Sequence, residues 1–171
     1  MIGPILRRIG IGVGLATLVF VVVGLFLPRT YTVSRSVVIA APQARIHELC
    51  DDLERWPSWT PWFRSDPGMV ITLGTVTRGV GAHQSWRSAD GAGELTFTRS
   101  DPDWGVAFDL DFVDRGEEAV STIRYTPVDG GVEVTWDMTG DNGWNIFARF
   151  LGVVMDPLFG PMFEDGLDRL K

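Results

Sequence analysis

Apolar and polar positions follow three rhythms along the chain, and each predicts a different element. From Ile9 to Leu27 the run IGIGVGLATLVFVVVGLFL carries no charge over 19 residues, enough to cross a hydrocarbon core of roughly 30 Å. Between Gln43 and Trp56 the period is helical: Ile46, Leu49, Cys50, Leu53 and Trp56 form one stripe, with His47, Asp51 and Glu54 on the opposite, polar side. Further on the period is two. Val106, Phe108, Leu110 and Phe112 alternate with Asp109 and Asp111, and Val132, Val134, Trp136 and Met138 alternate with Glu133, Thr135 and Asp137.

This alternation predicts strands over 31–40, 69–74, 81–88, 93–100, 104–114, 119–128 and 131–140. Asp-Gly, Gly-Gly and Asp-Pro punctuate them at hairpin distances, so the sheet should be antiparallel. At the C-terminus, Asp141 can cap a helix that begins near Gly143 and carries Phe147, Phe150, Leu151, Val154 and Met155. Pro157 and Gly160-Pro161 should break it, leaving a second amphipathic run through Met162, Phe163, Leu167 and Leu170, with Asp156 as its cap. Strand, helix, six strands, helix is the order of an α+β domain with helices on one face of a curved sheet.

The stretch ERWPSWTPW places Trp56, Trp59 and Trp62 three residues apart, but Pro57 and Pro61 forbid a regular helix there. Trp59 and Trp62 are therefore expected on a loop at the rim of the sheet. Trp86, Phe97, Phe108, Phe112, Trp136 and Phe150 should project into the space between sheet and C-terminal helix. For any single tryptophan, core is the better reading. Together they describe an apolar wall with few polar groups, the usual lining of a small-molecule pocket where curvature leaves room. The expected ligand is lipid-like, isoprenoid or aromatic, and no cofactor is required.

Charge narrows the partners. The net charge is −7, and without Arg7 and Arg8, which precede the apolar run, 13 basic residues face 22 acidic ones. Such a surface repels phosphate backbones, and no basic stripe offsets it, which excludes nucleic acid. The single Cys50 excludes an intrachain disulfide and a cysteine-based metal cluster. Thirteen Ile, Leu, Val and Phe residues in 9–27 contribute about −4 to −8 kcal/mol towards insertion. A cleaved signal peptide is the rival reading. The run exceeds the usual apolar length, and its exit LPRTYTVS lacks a small-residue cleavage site, so residues 1–28 are expected to form an uncleaved anchor and 29–171 a ligand-binding domain. Arg7 and Arg8 set against Arg29 and Arg35 leave a small bias towards a cytoplasmic N-terminus and an exported domain.

Candidate chemistry is sparse. His47 falls on the polar side of its helix and His83 shares a strand face with Ser85 and Arg87, so both should be solvated. Asp109 and Asp111 flank inward residues and should point outward. Arg99 and Arg124 could reach a ligand carboxylate only if the faces are reversed. No catalytic residue and no metal set is assigned.

The strings RWPSWTPWFRSDPGM, GVGAHQSW, GGVEVTWDMTG and FEDGLDRLK resemble the successive signatures of the START-like (SRPBCC, helix-grip) superfamily, in its polyketide cyclase/dehydrase-like branch, over residues 31–171. The resemblance implies a Bet v 1-like fold, a curved antiparallel sheet wrapped around a C-terminal helix, with a hydrophobic cavity between them. Pro157 and Pro161 depart from a smooth closing helix and would permit a hinged lid. The leading expectation is a membrane-anchored carrier or sensor for a hydrophobic small molecule or lipid. A cyclase or dehydratase acting on a polyketide-like substrate is the alternative, and an interaction module presenting its tryptophans at the membrane is a third.

Overall fold

The computed structural model describes residues 3–89, 91–114 and 116–171. Helix α1 (Gly3–Phe26) precedes strand β1 (Thr30–Ile39) and helix α2 (Gln43–Cys50). A 3-10 turn (Trp56–Ser58) and the short helix α3 (Trp62–Ser65) lead into six strands: β2 (Val70–Leu73), β3 (His83–Ser88), β4 (Gly91–Asp101), β5 (Gly105–Phe112), β6 (Glu117–Val128) and β7 (Gly131–Asp141). Helix α4 (Ile146–Leu170) closes the chain. All seven strands join one antiparallel sheet in the order β1-β7-β6-β5-β4-β3-β2. Every strand lies within a few residues of where alternation placed it.

The expected faces are also found. Val132, Val134, Trp136 and Met138 are buried along β7 while Thr139 and Asp141 are exposed, and Asp109 and Asp111 face outward from β5. Strand β4 slips by one residue between Phe97 and Arg99, so Arg99 pairs with Ala107 on the outer face and Ser100 with Val106 on the inner one.

Three helix boundaries differ from expectation. α2 ends at Cys50, because Leu53 N donates to Thr77 O and so leaves the helical ladder, although Leu53 and Trp56 remain buried as the stripe required. α4 runs unbroken through Pro157 and Pro161. Both prolines are exposed, and packing of the buried side of the helix compensates for the lost hydrogen bonds. Arg35 supplies part of that hold. It reaches from β1 under Gly160, where a β-carbon would collide with its guanidinium, and pairs with Asp156 at 2.7 Å and Glu164 at 2.6 Å on either side. The cap of α4 is Asn145, which accepts from Ala148 N at 3.2 Å, and not Asp141, which is bound to Arg29 and Gly143 N.

Candidate functional site

The ladder registers arrange the concave face in rows across the sheet. Trp86, Gly93 and Phe112 form the outermost row, and Glu117 stands opposite Phe112 on β6. Gln84, Leu95, Leu110, Ala119, Gly140 and Tyr31 form the second. Phe97, Phe108, Ser121, Met138 and Val33 form the third, and Val106, Ile123, Trp136 and Arg35 the fourth.

From the third row inward the space is filled. Trp136 stacks on Phe163 of α4 with centroids 4.2 Å apart and meets Trp59 edge-on at 5.5 Å. Trp56 lies 5.6 Å from Phe97 and 5.3 Å from Phe108. The indole N–H groups are all satisfied: Trp56 donates to Cys50 O, Trp59 to Leu49 O and Trp136 to Ser121 Oγ. The hollow expected between sheet and closing helix is thus occupied here by the protein's own rings.

The eight aromatic residues expected to line a site therefore separate. Trp59, Phe97, Phe108 and Trp136 are at most 2% exposed and belong to the core. Trp59 is not at a rim, because the chain folds inward after Pro57 and seats its ring between Trp56 and Trp136. Trp62 is half-buried on α3, edge-on to Trp136 at 5.8 Å. Trp86 and Phe112 are half-buried together at the outer row, 5.8 Å apart. Phe150 does not face the sheet at all; it lies on the flank of α4 stacked against Phe20 of α1 at 4.4 Å.

The open end of the concave face is the candidate site. Its floor is apolar: Trp86, Leu110 and Phe112, with half-buried Phe159 of α4 also packed on the core. Gly93, Ala119 and Gly140 keep the sheet surface low, and rings of Trp86 and Tyr31 lie directly over the two glycines. Few polar groups intrude. Gln84, 3% exposed, faces inward in the second row, and its carboxamide makes no hydrogen bond among the described residues. Glu117 sets one carboxylate at the rim. Alternation with Trp86 places Gln84 inward without marking it as a ligand contact, and the strand holding Glu117 starts two residues before its apolar alternation begins.

A different set of polar groups is sealed at the far end. His47 and Asp51, expected in solvent, are 7% and 5% exposed. This side of α2 packs on the sheet, where Asp51 accepts from Arg78 Nε at 2.9 Å and from Ser100 Oγ, and His47 Nδ1 sits 3.4 Å from the Tyr125 hydroxyl. Burial holds the His47 imidazole below its ordinary value, with Asp51 opposing and Arg78 reinforcing the shift. Burial pushes the Cys50 thiol up to about 12 and raises Tyr125 as well. These groups join α2 to the sheet, away from the open end.

The remaining candidates point outward. His83 contacts Thr96 Oγ1 at 3.0 Å and lies near Glu94. Arg124 pairs with Asp137 at 2.6 Å on the outer face, and Arg99 lies over the Trp104 ring at 3.9 Å beside Asp101. Among the described residues no group of three metal-ligating side chains converges. Two surface concavities, a notch of about 90 Å³ beside Arg45 and Leu170 and a trough of about 450 Å³ over Thr122 and Asp137, both lie outside the space between sheet and α4.

Residues 30–171 match the family described as polyketide cyclase/dehydrase and lipid transport. The chain belongs to that family. Solved structures share its fold at low identity. The Helicobacter pylori protein jhp0584 is 12% identical with a TM-score of 0.63, covering 81% of this chain and 84% of its own. Ara h 8.0201 is 13% identical with a TM-score of 0.56, covering 82% and 97%. Norcoclaurine synthase of Thalictrum flavum, solved with a transition-state analogue, is 12% identical with a TM-score of 0.59, covering 82% and 94%. No curated protein matches the chain.

Proposed function

We propose that this chain holds an apolar, lipid-like or polyketide-like molecule against the open end of its concave sheet face, as a membrane-tethered carrier or sensor. One observation carries the reading: Trp86, Leu110 and Phe112 face inward yet stay only half-buried, while the rings of the third row, Phe97 and Phe108, are sealed. Covering about 100 Å² of such surface contributes about 2.5 kcal/mol, so binding is chiefly by burial. Gln84 and Glu117 then orient a polar end of the ligand. Pro157 and Pro161 each remove an internal hydrogen bond from α4, which lowers the cost of bending it away from the sheet to admit a guest. The tether is α1, whose segment Arg7–Phe26 is long and apolar enough to cross a membrane. The arginines at its start favour a cytoplasmic N-terminus and an exported domain.

The family's description includes lipid transport, which agrees with this ligand class. The cyclase or dehydratase alternative would need a base at the site, and Glu117, in register with Phe112, is the candidate for that role.

The full chain, purified in mild detergent, is analysed by native mass spectrometry and organic extraction. One apolar molecule per chain is expected, lost in Leu110→Glu and Phe112→Glu but kept in the outer-face variant Arg124→Ala. An empty chain, or an equal load in the Glu variants, would overturn the reading. Retention in Glu117→Gln with loss of any conversion of the bound molecule would favour the enzyme.

A further inference from the structure

The first half of α4 presents an apolar face that the domain leaves uncovered. Trp144, just before the helix, and Phe147, Leu151, Val154 and Leu158 follow at three- and four-residue intervals, and are 81, 73, 56, 48 and 59% exposed. Further along, the outward positions become Glu164, Asp165, Asp168 and Arg169, the pattern expected of a helix in water. Five large apolar side chains in a row without a charge mark contact with an apolar phase.

Helix α1 indicates which phase. Phe20 stacks on Phe150 and lies 5.1 Å from Phe147, and Ile146 and Phe150 press on Gly24 where no β-carbon would fit. Arg149, 6% exposed, donates to the Leu25 and Gly143 carbonyls at 3.3 and 3.0 Å, so its charge is used inside this junction. Phe20 lies six residues before the end of α1, about 9 Å along the helix axis. An α1 that crosses a bilayer carries Phe20 to that depth, and Phe147 and Phe150 go with it.

We propose that residues 144–158 lie in the surface of the lipid bilayer beside α1, with Trp144 at headgroup level and Phe147, Leu151, Val154 and Leu158 against acyl chains. The inference rests on reading α1 as a membrane-crossing anchor. The depth agrees with the roughly 5–10 Å at which interfacial helices lie. Asp156 is tied to Arg35 and Arg29 to Asp141, so the contact is apolar and independent of anionic lipid. Gly152 sits over Tyr31, in the second row of the concave face, so this placement brings the open end of the sheet to the membrane surface and lets a lipid enter it without crossing water.

The test uses nitroxide labels at Leu151→Cys and Val154→Cys in the full chain, in phosphatidylcholine nanodiscs. Leu15→Cys on α1 and Val120→Cys on the outer sheet face serve as references. All four positions are exposed, and Cys50 is sealed from the reagent. Oxygen is expected to relax the labels at 151 and 154 several-fold more than a water-soluble nickel chelate, as at 15 and opposite to 120, with no change when a third of the lipid is phosphatidylglycerol. Chelate access at 151 and 154 with 15 still lipid-exposed would overturn the inference and leave the anchor standing. Exclusion of both relaxers, the signature of a protein partner or a second copy, would overturn it too. Chelate access at 15 would remove the anchor reading itself.

Discussion

At the α2 end of the concave face, Trp56, Trp59 and Trp136 are each sealed to 2% exposure or less, and every indole N–H has an acceptor; at the other end Trp86 and Phe112 remain half-buried beside Gly93, Ala119 and Gly140. Both ends carry aromatic residues at inward positions of the same sheet. The difference lies in what covers them. The turn after α2 and the second half of α4 bring Leu53, Phe163, Leu167 and Leu170 into one buried cluster with the deep rings, whereas Trp86, Leu110 and Phe112 pack against that cluster only in part. The proposed binding surface is therefore the part of the inner face that the protein's own helices cover least.

Substitutions sharpen this contrast in descending order of effect. Trp136→Ala removes the ring held between Phe163 and Trp59 and is expected to cost about 3–5 kcal/mol in urea unfolding of the full chain in micelles. Gly160→Val drives a side chain into the Arg35 guanidinium and its two carboxylates, and should cost about 1–3 kcal/mol by the same assay. Phe112→Ala should lose only about 1 kcal/mol of stability yet abolish ligand retention, the reverse of the Trp136 result. A Phe112 variant as unstable as the Trp136 one would erase the distinction between the ends.

The sealed end also predicts a pH response. The His47 imidazole is held below its ordinary value, so the unfolded chain binds the proton first and stability should fall as pH drops below about 6.5. His47→Gln should flatten the midpoint between pH 7 and 5, and an unchanged slope would place the acid sensitivity elsewhere. The smallest effect is expected for Arg124→Ala on the outer face, within about 0.5 kcal/mol and without loss of ligand.

The sheet was readable because β5 from Val106 onward and β7 alternate, and a period of two leaves one register that buries Phe108 and Trp136. Helix ends were less readable. Whether α2 continued past Cys50 depended on Leu53 N finding Thr77 O, a contact with a distant loop, and His47 and Asp51 were buried by Tyr125, Ser100 and Arg78, partners likewise distant in sequence. The prolines of α4 read as breaks because nothing local shows Arg35 and the sheet holding the helix on its opposite side. For the candidate site, composition identified the rings but not their cover: Trp59 reads as a loop residue at the rim, and only the packing of the segment after Pro57 shows that it is sealed while Trp86 is not.

The claim that an apolar guest occupies the open end is tested most directly by photo-crosslinking. A fatty acid bearing a diazirine in its chain is irradiated with the full protein in nanodiscs, and labelled peptides are mapped by mass spectrometry. The account predicts adducts on the peptides containing Trp86, Leu110 and Phe112, competed away by unlabelled lipid. Adducts confined to α1 and residues 144–158, with none on β3 or β5, would contradict it.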